Sequence, residues 1–265
     1  MATSPLRVAI HGVPGRMGTR LVHLVRADPG LVLAAALGRP GHPGQGRDVG
    51  SLVGLPEVGL PLTAALAGPA DVVISFAEPR ATLDVAEACA RAGVPLVVGT
   101  TGFDPSGRAE LARLAAPIPL LVSPNTSLAV NLLMKLVDAA ARGLPGADIE
   151  VVERHHRFKK DAPSGTALRL AEVAAAAIGS DRLVHGRSGL TGERPVGEIG
   201  IHALRTGDNP GEHTVVFGLM GECLELTHRA LNRDGFARGA LAAARALIGR
   251  PPGLYGMADL LDQIS

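Results

Sequence analysis

Five short, mainly apolar runs punctuate the first half of the chain, at Arg7–Ile10, Leu31–Leu37, Asp71–Phe76, Val94–Val98 and Pro119–Val122. Helical stretches separate them. Leu21, Leu24 and Val25 recur on one face after the first run, and a helix opened by Pro79 extends to about Ala92. Strands with one wet face would alternate apolar and polar residues. Near-continuous apolar strands spaced by helices instead require a parallel sheet covered on both faces. The Gly- and Pro-rich stretch from Gly38 to Pro61 predicts a long surface loop.

The texture changes after residue 126. A helix over Leu128–Arg142 leads to a run at Asp148–Glu153, a polar His-rich turn and a second helix from Gly165. Runs at Ile199–Arg205, His213–Phe217 and Glu222–His228, separated by Gly-containing turns, predict a mixed or antiparallel sheet and so a second, α+β domain. A length of 265 residues accommodates one large domain or two modest ones.

The near-even charge, 26 Lys+Arg against 25 Asp+Glu, argues against a nucleic-acid-coating protein, which needs a basic face. Aromatic residues make up 2% of the chain, so base or ring stacking carries no binding. Cys89 and Cys223 lie far apart without a ligand pattern and read as reduced, buried thiols. No apolar stretch reaches membrane-spanning length, and Met1–Pro5 carry no targeting signal, so the expected setting is cytoplasmic, with no membrane partner.

Chemistry concentrates first in the turn after the opening strand, His11-Gly12-Val13-Pro14-Gly15-Arg16-Met17-Gly18. Glycines there permit a tight turn and close approach of a ligand, and the following helix offers unpaired N–H groups to a pyrophosphate. The alternative is a Gly-rich turn without a ligand. An acidic residue at the end of the second strand would bind ribose hydroxyls. Here Gly38-Arg39 follows Leu37, so Arg39, with Arg16, favours a 2′-phosphate and NADPH over NADH, unless Arg39 is a solvated loop charge. Gly99-Thr100-Thr101-Gly102 and Ser123-Pro124-Asn125-Thr126 also follow strands, where ligands collect in open α/β sheets. Each is a candidate nicotinamide wall or an ordinary turn.

The second concentration is Glu153-Arg154-His155-His156-Arg157-Phe158-Lys159-Lys160-Asp161-Ala162-Pro163-Ser164-Gly165-Thr166. It holds two of only three lysines in a chain whose other basic residues are arginine. Lysine differs in being a compact ammonium with a shiftable pKa, suited to donating a proton or meeting a carboxylate. Histidine adds acid/base capacity near neutrality. Ser164-Gly165-Thr166 opens a helix, which makes either a carboxylate cradle or a simple cap. His185, His202, His213 and His228 are scattered singly and read as structural, and no spacing suggests a metal.

Taken together, these strings resemble the dihydrodipicolinate reductase (4-hydroxy-tetrahydrodipicolinate reductase) family of the diaminopimelate route to lysine. The resemblance is carried by VAIHGVPGRMG at 8–18, GTTGF at 99–103, Asn125-Thr126-Ser127 with Asn131, ERHHRFKKDAPSGTA at 153–167, TGER at 191–194, Arg205-Thr206-Gly207-Asp208, Gly211-Glu212-His213 and Leu226-Thr227-His228.

It implies a Rossmann-like domain over 1–126 completed by 237–265, and a domain over 127–236 that binds substrate and whose open mixed sheet builds a homotetramer. It implies hydride transfer from NADPH or NADH to C4 of a cyclic, doubly carboxylated imine, followed by protonation of the neighbouring carbon. By position, His155 is the acid/base residue and Lys159 the proton donor. His156, Lys159, Ser164, Gly165 and Thr166 clamp the substrate carboxylates. Gly12, Val13, Pro14, Gly15, Arg16 and Met17, with Gly99, Thr100, Thr101, Ser123, Pro124, Asn125 and Thr126, contact the cofactor. Pro14, Gly38 and Thr126 depart from residues common in the family. The competing expectations are another two-domain NAD(P)-dependent dehydrogenase of an amino-acid-derived acid, and an inactive nucleotide-sensing homologue.

Overall fold

A computed structural model describes residues 4–261. In chain order the elements are β1 (Leu6–His11), α1 (Arg16–Ala27), β2 (Leu31–Leu37), α2 (Val49–Val53), β3 (Leu62–Thr63), β4 (Val72–Ser75), α3 (Pro79–Ala92), β5 (Leu96–Val98), α4 (Pro105–Leu114) and β6 (Pro119–Val122). There follow α5 (Leu128–Gly143), β7 (Asp148–His155), α6 (Gly165–Ile178), β8 (Leu183–His185), β9 (Ile199–Arg205), β10 (Glu212–Leu219), β11 (Glu222–Arg229), α7 (Asp234–Leu247), β12 (Gly253–Tyr255) and α8 (Ala258–Leu261). They form two compact units, one running through Leu128 and resuming at Asp234, the other spanning Ala129–Arg233.

The first unit is a Rossmann-like parallel sheet in the order β12-β6-β5-β4-β1-β2-β3. Its strands are buried on both faces, as their continuous apolar sequences require. Val8, Ile10 and Ile74 pack with Leu21 and Val25 of α1 and Ala240 and Ala244 of α7. Ala9, Val73 and Leu96 pack on the other face with Ala86 and Cys89 of α3 and Leu111 of α4. Each fully buried Ile or Leu here contributes about 1.5–3 kcal/mol relative to exposure. α3 carries Pro at its start and stops at Gly93, which adopts a left-handed φ of 67° that a Cβ would disfavour.

The second unit is a mixed five-stranded sheet in the order β11-β10-β7-β9-β8, in which β7, β9 and β8 pair in parallel and β10 pairs antiparallel with both β7 and β11. Ile149, Val151, Val215, Phe217, Ile199 and Ile201 turn one face toward Leu133 and Val137 of α5 and Leu170 and Ala174 of α6. Glu150, on the alternate face of β7, instead pairs with Arg187, Arg194 and His202.

The structure corrects three expectations. The Gly38–Pro61 stretch is not merely a surface loop: it contains α2, with Val49 and Val53 buried in the core. Asp48 holds it together by accepting N–H bonds from Gly50, Val58 and Leu60. Secondly, β7 runs two residues further than Glu153, so His155 ends a strand rather than sitting in a turn. Thirdly, Cys89 is buried but Cys223 is exposed, because it lies on β11 at the sheet edge.

Candidate active site

In the first unit, β1 delivers the chain to the glycine turn, whose amides are largely committed within the fold. Gly12 and Val13 both donate to the Leu37 carbonyl, Gly15 donates to Gly12, and Pro14 has no N–H. A side chain on Gly15 or Gly18 would place Cβ 2.7 or 2.5 Å from the Gly12 carbonyl oxygen, so close packing requires glycine at both. α1 begins after Gly15 with no side-chain cap, which leaves the N–H groups of Arg16 and Met17 at the helix start without intrahelical partners. That is the donor geometry a pyrophosphate needs.

A cavity of about 510 Å³ opens against Gly12, Val13, Pro14 and Gly15, and Arg39, His42 and Glu78 also line it. The buried His11 forms part of its wall and starts a polar chain. Its Nδ1 lies 3.0 Å from Ser75 Oγ, Ser75 lies 3.0 Å from Thr82 Oγ1, and Thr82 lies 2.8 Å from Thr100 Oγ1. Gly99, Thr101 and Ser123–Thr126 are not part of that lining, but Gly99 and Ser123 directly follow the neighbouring strands β5 and β6. Ser123 donates to the Asn125 carbonyl, while the buried Thr126 donates its hydroxyl to the Phe236 carbonyl.

In the second unit, groups from β7, the start of α6 and β9 converge on one carboxylate. Glu153, completely buried, accepts a bond of 2.6 Å from His155 Nδ1 on Oε2. It accepts Ser164 N–H on Oε1, and Arg205 spans both oxygens at 2.8 Å. Arg205 Nη2 also donates to the Asp161 carbonyl. Ser164 caps α6 by accepting from Ala167 N–H, and its hydroxyl lies 3.1 Å from His213 Nε2. Gly165 and Thr166 form the first turn of that helix. Lys159 Nζ donates to both oxygens of Asp161 at 2.8 Å. His156 Nδ1 is buried with no hydrogen-bond partner among the described residues.

The electrostatics follow from this packing. Burial pushes Glu153 upward, but Arg205, His155 and the Ser164 N–H together hold it below the usual carboxylate range. Burial pushes His155 downward and the Glu153 carboxylate pushes back, leaving it below its ordinary value. His213, whose ring meets His155 edge-on at 5.2 Å, is driven by burial to about 3 and is neutral.

The dihydrodipicolinate reductase N-terminal model matches residues 6–126, and the C-terminal model matches residues 129–261. The chain belongs to the dihydrodipicolinate reductase family.

It is 52% identical over 263 residues to a 4-hydroxy-tetrahydrodipicolinate reductase of Anaeromyxobacter dehalogenans, covering 96% of this chain and 97% of the relative. It is 51% identical to the reductase of the same name from Thiobacillus denitrificans, covering 97% and 98%. Among solved structures it is similar to a dipicolinate-bound dihydrodipicolinate reductase from a Paenisporosarcina species. That match has a TM-score of 0.79 at 29% identity and covers 96% of this chain and 99% of the other. An amine dehydrogenase from Mycobacterium smegmatis, at 14% identity and a TM-score of 0.59, shares the fold.

Within this family member, sequence reasoning passed over Glu153, Arg205 and His213 as contributors to the site. Their separation along the chain hides them. The pairing of β7 with β9 sets His155 beside Arg205, and the pairing of β7 with β10 sets Glu153 beside His213. His213 is therefore not an isolated structural histidine: it contacts His155 and Ser164. The polar character of His11 and Ser75 at the ends of apolar strands, and of Thr82 on the face of α3 that carries Val85, Ala86 and Cys89, was the available signal for the buried chain.

Proposed function

We propose that this chain is a 4-hydroxy-tetrahydrodipicolinate reductase, reducing a dihydrodipicolinate-type cyclic imine to tetrahydrodipicolinate for lysine biosynthesis. The observation that carries this reading is a single buried carboxylate, Glu153, which locks the end of β7 at His155 to the start of α6 at Ser164. An acid/base group is thereby held beside a helix N-terminus suited to a carboxylate.

In this reading the Arg16 and Met17 N–H groups and the glycine turn of residues 12–15 hold the pyrophosphate. Residues 99–101 and 123–126 contact the rest of a pyridine nucleotide. Arg39, in the cavity wall, favours NADPH over NADH. The reduced nicotinamide, when bound, supplies hydride. His155 then acts as the acid/base residue and Lys159 as the donor of the proton to the neighbouring carbon. His156, whose Nδ1 has no partner among the described residues, clamps the two substrate carboxylates with Lys159, Ser164, Gly165 and Thr166. Asp161 holds Lys159 until a substrate carboxylate takes its place.

The nucleotide-binding role falls to residues 1–126 with 237–265, and the substrate-binding role to 127–236. The face of the five-stranded sheet opposite α5 and α6 is the surface for a homotetramer, so sedimentation should give a mass near four chains. No helix among the described residues is long and apolar enough to cross a membrane, and a biosynthetic enzyme of this kind is placed in the cytoplasm.

The decisive experiment follows nicotinamide absorbance with substrate generated in situ from pyruvate and aspartate semialdehyde by the preceding synthase. Oxidation of NADPH, or of NADH, above a synthase-only control is expected. No oxidation of either would refute the reading.

A further inference from the structure

His155 has two ring nitrogens, and which one carries the proton decides what it can do. Glu153 is ionised, so both its oxygens can only accept. At 2.6 Å from Glu153 Oε2, His155 Nδ1 must be the protonated nitrogen, which leaves Nε2 as the atom that takes or gives a proton. Nε2 faces the backbone of Gly211, whose missing side chain leaves room there: a Cβ would lie 2.9 Å from it.

Glu153 has little freedom to choose otherwise. Arg205 spans both carboxylate oxygens and Ser164 N–H occupies Oε1, so the carboxylate cannot rotate away from His155 without breaking several bonds. Arg205 is itself anchored by the Leu204 and Asp161 carbonyls.

We propose that Glu153 is the positioning residue for proton transfer in this protein, fixing His155 in its Nδ1–H tautomer, and that Arg205 holds Glu153 in place. The inference rests on the reading of His155 as the acid/base residue. Glu153 does not touch substrate; it acts through the imidazole, as a carboxylate does wherever it orients a catalytic histidine.

The groups facing His155 are Glu153 on its own strand, Lys159 in the following loop, Arg205 on β9 and His213 on β10. Lys159 and Arg205 disfavour the imidazolium, while His213 is neutral at working pH. Glu153 is thus the anion opposing both burial and those cations. Without it, His155 titrates at lower pH, and an amide in its place can donate to Nδ1 and reverse the tautomer.

Two measurements test this. In the wild-type protein, labelled with ¹⁵N-histidine, the resonances lost in His155→Gln should report protonated Nδ1 and bare Nε2 at neutral pH. A His155 protonated on Nε2 would overturn the inference without needing any variant of Glu153 to fold. In turnover, Glu153→Gln should lower kcat by about 10²- to 10⁴-fold. The dinucleotide Kd should stay unchanged, and the limb of the pH–rate profile set by His155 should move to lower pH. Glu153→Asp, which keeps the charge, should recover part of the rate and move the limb back. A Glu153→Gln enzyme within threefold of wild-type kcat, with an unmoved limb, would also overturn it. Failure of the functional reading gives a different result, since the wild-type protein would then not oxidise the nucleotide at all while the tautomer measurement still stands.

Discussion

The two units each end a strand on a buried histidine, and the two histidines have opposite fates. His11 closes β1 and is surrounded by hydroxyls: Ser75 bonds it directly, and Thr82 and Thr100 continue the chain. Burial lowers it to about 4, and the charge of Asp84 only partly opposes that. His155 closes β7 with a carboxylate at 2.6 Å, so its desolvation is contested by a bonded anion. Hydroxyls satisfy an imidazole without changing its charge preference, whereas an ionised carboxylate favours the imidazolium. The comparison teaches that burial alone does not make a histidine catalytic. On the proposed reading, the bonded partner separates a neutral strut from a histidine able to cycle a proton.

The largest expected effect would break this contrast if it failed. His155→Gln and Lys159→Ala should lower turnover by about 10²- to 10⁴-fold while leaving dinucleotide affinity intact. His11→Leu should leave kcat within a few-fold. If His11→Leu lost as much turnover as His155→Gln, the distinction between strut and proton carrier would be wrong.

Gly211→Val comes next, because its first added carbon falls 2.9 Å from His155 Nε2 on a backbone with φ of 151°. Turnover should fall by about 10²-fold through displacement of the ring, with nucleotide binding unchanged in a Kd measurement.

The third prediction concerns acid stability. A histidine whose folded pKa lies below its unfolded value of 6.5 contributes fully above that value, and its contribution is lost as pH falls toward the folded value. For His11, about 4, the loss amounts to about 3 kcal/mol between those limits. Denaturant titrations at pH 7 and pH 4.5 should show a smaller acid-induced drop for His11→Leu than for the wild type. His213, lowered to about 3, predicts the same direction in the second unit. An identical drop in wild type and His11→Leu would show that His11 is not buried neutral.

The smallest effect sharpens the cofactor side. Arg39→Ala should weaken NADPH by about tenfold and leave NADH nearly unaffected in binding titrations, reflecting one charge-assisted contact. Equal losses for both nucleotides would show that Arg39 does not read a 2′-phosphate.

Much of this molecule was legible in the sequence. The helix over 79–92 and the strands over 31–37, 119–122 and 199–205 have the bounds their apolar patterns predict. α6 starts at Gly165 behind a Ser164 cap, as its Ser-Gly-Thr string implies. What escaped was short or relational. β3 and β12, of two and three residues, are too brief to show a period and exist because an adjacent strand offers an open edge. α2 lies in a Gly- and Pro-rich stretch whose composition says loop, and Asp48 is what gathers the surrounding backbone.

The sequence by itself determined the parallel architecture, the place of the glycine turn and the chemical richness of residues 153–166, because periodicity, glycine requirements and side-chain type are local properties. Only the tertiary structure decided how Glu153 and His155 are shifted from their ordinary values. Glu153 is separated by 52 residues from Arg205 and by 11 from Ser164; the pairing of β7 with β9 brings Arg205 to it, the start of α6 brings Ser164, and the carboxylate they meet is completely buried. Charge preference depends on distance and burial, and neither is written in residue type.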